Sequence, residues 1–368
     1  MMTTRKLGGF IIPQRTMTQT IYSAFNGMVS LFSEKTRSGF IDALEKGIIQ
    51  EEVLSQATAG PMVMLSLFHE LQNPLFNKND FDPNQFLEGV VPALENFHNV
   101  SAALENELHD VIKKSPEKSA DEGSNETSDS VDDSLIELGA ITKEEKESLL
   151  TALRLTSEDG DSDMTKRRKD AEAILDYEWI NEAREYPDSL AGQLSRMVTK
   201  DLFQINQLSS KTAFLLQNQS RNILFREGSC RVHNVALLSA RACLFKEKET
   251  PPSEVESDGK AAKEFEAIDF DFDDDYPESG TAVGAQLEIL YDVTQEFAVG
   301  ESKSVNANGT EEKSSSNQSG KEEFTQTTIV SVATFEGWLH GGLDDGELRW
   351  KMAAYRPPYE FPGIDHAY

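Results

Sequence analysis

The sequence predicts an α+β domain in which helices pack on one face of a curved antiparallel sheet, with acidic insertions between the elements. Apolar residues recur at helical spacing through the first 219 residues, and alternating, β-branched segments follow after that point. Helices first and strands last is typical of an α+β domain, because the apolar face of such a sheet needs a cover.

The N-terminal region is basic and rich in hydroxyl groups. No acidic residue precedes Glu34, whereas Arg5, Lys6 and Arg15 carry positive charge. This composition is typical of a mitochondrial transit peptide, with an ordinary flexible terminus as the alternative, and we assign either one to residues 1–33.

Residues 34–77 are predicted to continue as a helical N-terminal segment. An apolar stripe begins just before them and consists of Ile21, Ala24, Phe25, Met28, Leu31 and Phe32. The stripe predicts a helix that packs on a partner or on the protein's own core. A membrane surface is the alternative, because Lys35 and Arg37 lie beside it.

A longer helix is predicted to begin at Pro83, with Asp82 as its N-cap. Its buried face is predicted to consist of Phe86, Leu87, Val90, Leu94, Phe97 and Val100. Pro92 should kink this helix or split it. Further helices are expected up to residue 219, with a break at Pro187.

Four segments after residue 219 have the pattern of strands. Residues 221–245 read as a strand pair or as one long bent strand. In residues 282–299 an alternating apolar set is predicted to face inward, formed by Val283, Ala285, Leu287, Ile289 and Tyr291. The segments TTIVSVATFEGWLH and LRWKMAAYRP follow, separated by the turn cluster GGLDDGE.

Three acidic, low-complexity inserts interrupt this domain, at residues 115–133, 246–280 and 300–323. The second reads as a solvated insert or as an acidic segment that docks on a basic partner.

The chain as a whole has 35 basic and 64 acidic residues, a net charge of −29. That charge disfavours DNA binding, and RNA contact is expected only in a ribosomal setting.

The last two strand segments resemble the closing hairpin of the Tim44-like domain family. The resemblance rests on Phe335 and Glu336 at the end of one strand and on Trp350 and Lys351 in the next. FDPNQFLEG and SLAGQLSRMVTKDLF are similar to two helices of that family. On this basis residues 78–358 are identified as a Tim44-like domain, followed by an extended tail at 359–368.

The resemblance implies a cone-like fold, similar to that of nuclear transport factor two, and a docking module without known catalysis. The candidate anchors, for the sheet and its helices or for a partner, are Phe335, Trp338, Trp350, Tyr355 and Arg356. A dense basic cluster is interpreted as a solvated helix start, with contact to anionic lipid head groups or ribosomal RNA as the alternative. It consists of Lys166, Arg167, Arg168 and Lys169.

The candidate catalytic and metal-binding residues do not form a recognisable site. His233 and His340 read as structural or surface residues, and Glu288 and Glu296 have the parity of solvent-facing positions. DFDFDDDYPESG, which starts at Asp269, lacks the glycine and the final glutamate of a calcium loop. Two cysteines are too few for a disulfide scaffold, and Cys230 and Cys243 lack the tighter constellation of ligands that a zinc site needs. No catalytic residue, metal or cofactor is predicted.

We therefore expect a non-enzymatic scaffold or adaptor in the mitochondrial matrix, peripheral to the inner membrane, with the import machinery or the ribosome as its protein partner. One alternative is a cone-fold small-molecule-binding protein or enzyme that uses an apolar pocket. A buried histidine or carboxylate in that pocket would favour it. The other alternative is a soluble acidic protein-interaction module outside mitochondria, in the cytoplasm.

Overall fold

Helices precede strands along the chain, apart from a short hairpin at the N-terminus. The computed structural model describes residues 4–7, 10–13, 17–55, 60–114, 143–152, 162–177, 179–218, 221–247, 265–268, 281–301, 324–341 and 349–356. These residues form helices packed on a curled antiparallel half-barrel, which confirms the predicted α+β class.

The hairpin and the helices occupy the first 218 residues. The hairpin strands are β1 (Thr4–Leu7) and β2 (Phe10–Pro13). The helices are α1 (Met17–Ser30), α2 (Glu34–Glu45), α3 (Glu51–Leu54), α4 (Gly60–Leu71), α5 (Pro74–Asn77), α6 (Pro83–Lys114), α7 (Lys143–Ala152), α8 (Ser162–Asp176), α9 (Trp179–Glu185), α10 (Leu190–Met197) and α11 (Lys200–Asn218).

The sheet contains β3 (Arg221–Phe225), β4 (Arg231–Glu247), β5 (Phe265–Ile268), β6 (Thr281–Glu301), β7 (Thr325–His340) and β8 (Trp350–Arg356). Its strand order is β5-β4-β6-β7-β8, and β3 pairs with the far end of β6. β3 and β4 therefore lie end to end along the same edge of β6. This arrangement matches the predicted long bent strand and not a pair of strands bonded to each other.

Helix α6 crosses the concave face of the sheet. The carboxylate of Asp82 accepts hydrogen bonds from the backbone N–H groups of Asn84 and Gln85, at 2.9 and 3.4 Å, as the predicted N-cap should. The predicted apolar face is buried along its length. The helix is not split at Pro92. A proline removes one hydrogen bond, and burial of each large apolar side chain contributes about 1.5–3 kcal/mol against that loss.

The alternation predicted for β6 is confirmed. Val283, Ala285, Leu287, Ile289 and Tyr291 are all fully buried in the core that also holds the face of α6. Their shared parity places them on the concave side of the sheet, under the helices. The core therefore lies between the helices and the inner face of the half-barrel.

Two of the predicted inserts are shorter than expected. Residues 246–247 still belong to β4 and residues 300–301 to β6. Within the second insert, β5 pairs with Leu244–Glu247 of β4. Strand pairing uses backbone N–H and C=O groups, so β5 can form at the edge of the sheet although the residues around it are acidic. The insert at 115–133, most of the other two, the tail at 359–368 and the candidate calcium loop lie outside the described residues.

Candidate functional site

The hairpin of β7 and β8 presses two aromatic side chains against the start of α6. The ring of Phe86 lies edge-on to Trp350 at a centroid distance of 4.9 Å and edge-on to Phe335 at 5.9 Å. Phe81 adds a contact with Trp350 at 6.1 Å. Such ring pairs contribute about 0.5–1.5 kcal/mol each beyond the area that they bury. Phe335 and Trp350 therefore join the sheet to its covering helix.

Tyr355 contacts later turns of the same helix. Its ring centroid lies 5.4 Å from the imidazole of His98 and 6.1 Å from Phe97. Its hydroxyl receives a hydrogen bond of 3.4 Å from Ser331. The side chain is 40% exposed, so it lies between the core and the solvent.

Trp338 has a different set of neighbours from the other aromatic anchor candidates. It lies on the opposite face of β7 from Phe335, because the two positions differ in parity. There it joins a separate small cluster with Phe245 and Ala282, and its ring is edge-on to Phe245 at 5.5 Å. The alternation of side chains along a strand is enough to assign Trp338 to this second face. The sequence interpretation did not apply that rule to β7.

Arg356 is held within the sheet. Its guanidinium lies 2.8 Å from the carboxylate of Glu288, and the two side chains are 16% and 17% exposed. Glu288 has the parity predicted for it, yet it is largely covered because Arg356 lies across it. Glu296 is similarly paired with Arg226 at 2.6 Å. Both glutamates serve ion pairs on the outer face of the sheet.

The basic cluster of α8 divides into two parts. Lys166, Arg167 and Lys169 are exposed. Arg168 instead bonds the carboxylates of Glu147 in α7 and Glu172 in α8, each at 2.8 Å. Three positive charges thus face outward, while the fourth ties α7 to α8.

A buried pair of polar side chains was missed by the sequence interpretation. The Nε2 atom of His98 lies 2.9 Å from the hydroxyl of Tyr291, in the core between α6 and β6. Burial lowers the pKa of His98 to about 4, and it raises the pKa of Tyr291 well above its ordinary value. Both groups are therefore neutral at pH 7. The spacing of His98, four residues after the buried Leu94, is the signal that identifies it.

Three further side chains of α6 form what we term the polar seam: Glu95, Asn99 and Asn106. They accept hydrogen bonds from backbone N–H groups around the bend between β3 and β4, which belong to Val232, Cys230 and Phe225 at 3.0–3.1 Å. A bent strand leaves such groups without ladder partners, and an unpaired buried N–H is costly. The seam therefore fixes the bend of the sheet against α6.

Helix α1 is attached to α4 by its small residues. Ala24 is buried, and a Cβ atom on Gly27 would lie 2.2 Å from the carbonyl oxygen of Leu65, so the two backbones are in close contact. The bulky apolar residues point away from the protein. They are exposed by 44–83% and comprise Ile21, Tyr22, Phe25, Met28, Val29 and Phe32. We call this set the α1 face.

The predicted stripe therefore packs into the protein's own core only in part. Ala24 is buried and Leu31 packs against the core, whereas the other four residues of the stripe are exposed: Ile21, Phe25, Met28 and Phe32. Periodicity identifies an apolar stripe but does not tell which side of a helix meets its neighbour. Here the close approach to α4 selects the small residues. For the exposed residues of the stripe, contact with a partner and contact with a membrane surface both remain predictions.

The cysteines, the two strand histidines and the possible metal ligands in the described part of the chain give little support for a catalytic or metal site. Cys230 and Cys243 are free thiols, and burial raises the pKa of Cys230 to about 11, which keeps it protonated and poorly reactive. His233 and His340 are exposed at the surface. No group of metal-ligating side chains occurs among the described residues. Within the same ranges, no helix combines the length and the hydropathy that crossing a bilayer requires.

Comparison with known proteins returned no relative. No protein-family model, no curated protein and no solved structure matches the chain.

Proposed function

We propose that this protein is a non-enzymatic scaffold or adaptor that works at the periphery of the mitochondrial inner membrane. The α1 face carries the proposal. It presents six bulky apolar side chains, five on α1 and Phe32 just after its end, while small residues hold the helix to the protein. Exposed apolar patches of this kind mark contacts with proteins or membranes.

Charge favours a membrane as the surface that the α1 face meets. Residues 1–50 contain six basic and three acidic residues, whereas the whole chain has a net charge of −29. An apolar helix face beside basic residues lies well at the interface of an anionic bilayer. Lys166, Arg167 and Lys169 offer a second exposed group of positive charges.

Protein import or ribosome attachment is the task that we assign to such an adaptor. The support is the resemblance of the β7–β8 hairpin to the Tim44-like family, together with the order of helices and strands. At the helix–sheet interface, the ring of Phe86 contacts both Phe335 and Trp350. Close packing of this kind suits a docking module better than a substrate pocket.

Vesicle binding tests the membrane contact. The full chain is sedimented with phosphatidylcholine vesicles with and without cardiolipin, and compared with an I21E/V29E variant. We expect binding to the anionic vesicles, and a loss of at least about tenfold in the variant. Burial of one such side chain is worth about 1.5–3 kcal/mol, and 1.4 kcal/mol corresponds to a factor of ten.

The matched control is I205E/L208E on α11. Ile205 and Ile21 are both 47% exposed, and Leu208 and Val29 are 40% and 44% exposed, so the two variants add equal charge at similar positions. The control should bind vesicles like the unmodified chain. Equal binding by I21E/V29E, or an equal loss in the control, would contradict the role of the α1 face.

Localisation is tested with a fusion of residues 1–40 to a fluorescent reporter. Import into mitochondria supports the proposal. A diffuse cytosolic signal favours the acidic interaction module outside mitochondria. Recovery of import subunits or of ribosomal proteins with the tagged chain then separates the two tasks of the adaptor.

The buried pair of His98 and Tyr291 favours a second candidate, a cone-fold small-molecule-binding protein or enzyme. A neutral imidazole bonded to a phenol is a combination that general acid–base catalysis uses. The test follows the imidazole resonances of His98 by NMR while small-molecule mixtures are added. A ligand that shifts them, and that no longer binds to H98L, would support this candidate over the adaptor.

A further inference from the structure

One strand of the sheet extends beyond its outer neighbour. β7 pairs with β6 from Thr325 to His340, but β8 pairs with β7 only between Val332 and Gly337. Residues 325–331 therefore have β6 on one side and, within the described part of the chain, no strand on the other. Alternate residues of such a segment direct their backbone N–H and C=O groups outward. We call residues 325–331 the open edge.

The open edge lacks the usual protection against pairing with another chain. Natural edge strands carry lysine, proline or bulges that discourage this. Residues 325–334 read TQTTIVSVAT and contain no charged residue and no proline, in a chain where 27% of residues are charged. Ile329 and Val330 are 47% and 42% exposed. The pairing of this segment with β6 contains no register shift.

The continuation of β8 is poorly suited to cover the open edge. Arg356 is opposite Val332, and the next two residues are Pro357 and Pro358. Proline has no backbone N–H, and one of two successive residues in a strand must donate to the neighbouring strand. The ladder between β7 and β8 therefore cannot simply be extended along the open edge.

We propose that the open edge pairs antiparallel with the same residues of a second copy, which gives a twofold symmetric dimer with a continuous sheet. An antiparallel strand paired with itself is isologous, so the contact closes with two copies. Pairing of two uncharged segments places no like charges opposite each other. Association through most other surfaces of a chain with a net charge of −29 would be opposed by repulsion. Five of the seven residues of the open edge are threonine, isoleucine or valine, which favour paired strands.

This dimer does not depend on the proposed membrane role, and its test is the oligomeric state of the full chain. Sedimentation equilibrium should give twice the chain mass of 41.0 kDa. A Q326K/V330K variant should sediment as a monomer, because lysines would then oppose each other across the interface. Within one chain, Gln326 and Val330 are opposite Glu296 and Asp292, so both lysines are compatible with the fold.

The control is I205K/L208K, which adds the same charge on α11 and should remain a dimer. A charge-swapped Q326E/V330E variant should be monomeric alone and should form a heterodimer when mixed with the lysine variant. A full chain that is monomeric at all concentrations would overturn the proposal, as would a dimer that persists in Q326K/V330K. Dimers that appear only after deletion of residues 357–368 would also overturn it, since the tail would then be what covers the edge.

Discussion

His98 and Tyr291 are bonded to each other although 193 positions separate them in the sequence, with 2.9 Å between the imidazole Nε2 and the phenolic oxygen. The bond joins the middle of α6 to the middle of β6. It also satisfies two polar atoms that the core otherwise isolates from water, so each residue depends on the other.

Tyr291→Phe should therefore destabilise the protein although it removes a single oxygen atom. The imidazole of His98 would lose its hydrogen-bond partner in the core, which costs about 1–3 kcal/mol in the free energy of unfolding. Urea denaturation at pH 7.5 measures this loss. In an H98L/Y291F double variant both polar groups are gone, and we expect part of the stability to return. A fully additive double variant would show that the two residues are not coupled.

Glu105→Gln should change the pH dependence of stability. Burial raises the pKa of Glu105 from 4.5 to about 7, so the folded chain holds this proton more tightly than the unfolded chain does. Stability from this group is therefore present below pH 4.5 and is lost as the pH rises to 7. Between pH 4.5 and pH 8 the glutamine variant should gain about 1–3 kcal/mol relative to the unmodified chain. A constant difference across that range would contradict the assignment.

Asn106→Ala should weaken the polar seam. The side chain of Asn106 accepts a hydrogen bond from the N–H of Phe225 at 3.0 Å and donates one to its C=O at 2.8 Å. Loss of both bonds should cost about 1–3 kcal/mol. Asn96→Ala is the control, at an exposed site on the same helix where the amide donates to the weak acceptor Sδ of Met197 at 3.0 Å. It should change the free energy of unfolding by less than about 0.5 kcal/mol. Equal effects in chemical denaturation would exclude a specific role for the seam.

Gly27→Ala should separate α1 from α4. The new Cβ atom would meet the carbonyl oxygen of Leu65 at 2.2 Å, and a backbone atom cannot move aside cheaply. Gly89→Ala in α6 is the control, because its Cβ meets nothing within 4 Å, and it should stabilise the helix by about 0.5–1 kcal/mol. Thermal unfolding should show opposite shifts for the two variants. A stabilising Gly27→Ala would show that α1 is not held as described.

Local pattern was sufficient for much of the fold. The N-cap at Asp82, the buried face of α6 and the inward set of β6 all follow from spacing, since each depends on the geometry of one element. The bend between β3 and β4 was foreseen only as one of two alternatives. Its stabilisation by Glu95 and Asn99 was not foreseen, because their partners are backbone groups more than 130 positions away.

The candidate site shows the same division. Phe335 and Trp350 contact α6, as expected of anchors, whereas Trp338 lies in a cluster on the other face of the sheet. The exposure of the α1 face depends on how α1 sits on α4, which periodicity cannot supply. His98 could have been found, because helical spacing from Leu94 places it on the buried face.

The links between early helices and late strands set the order in which the chain can fold. Glu70 of α4 accepts a hydrogen bond from the N–H of Ala240, which lies 170 positions later, and Phe86 meets its ring partners only in β7 and β8. Contacts this distant slow folding, because a long loop must close before any of them forms. During synthesis the sheet-facing side of α6 therefore stays exposed until the last strands have left the ribosome. A nascent chain in that state is prone to aggregation and is a natural client for a chaperone.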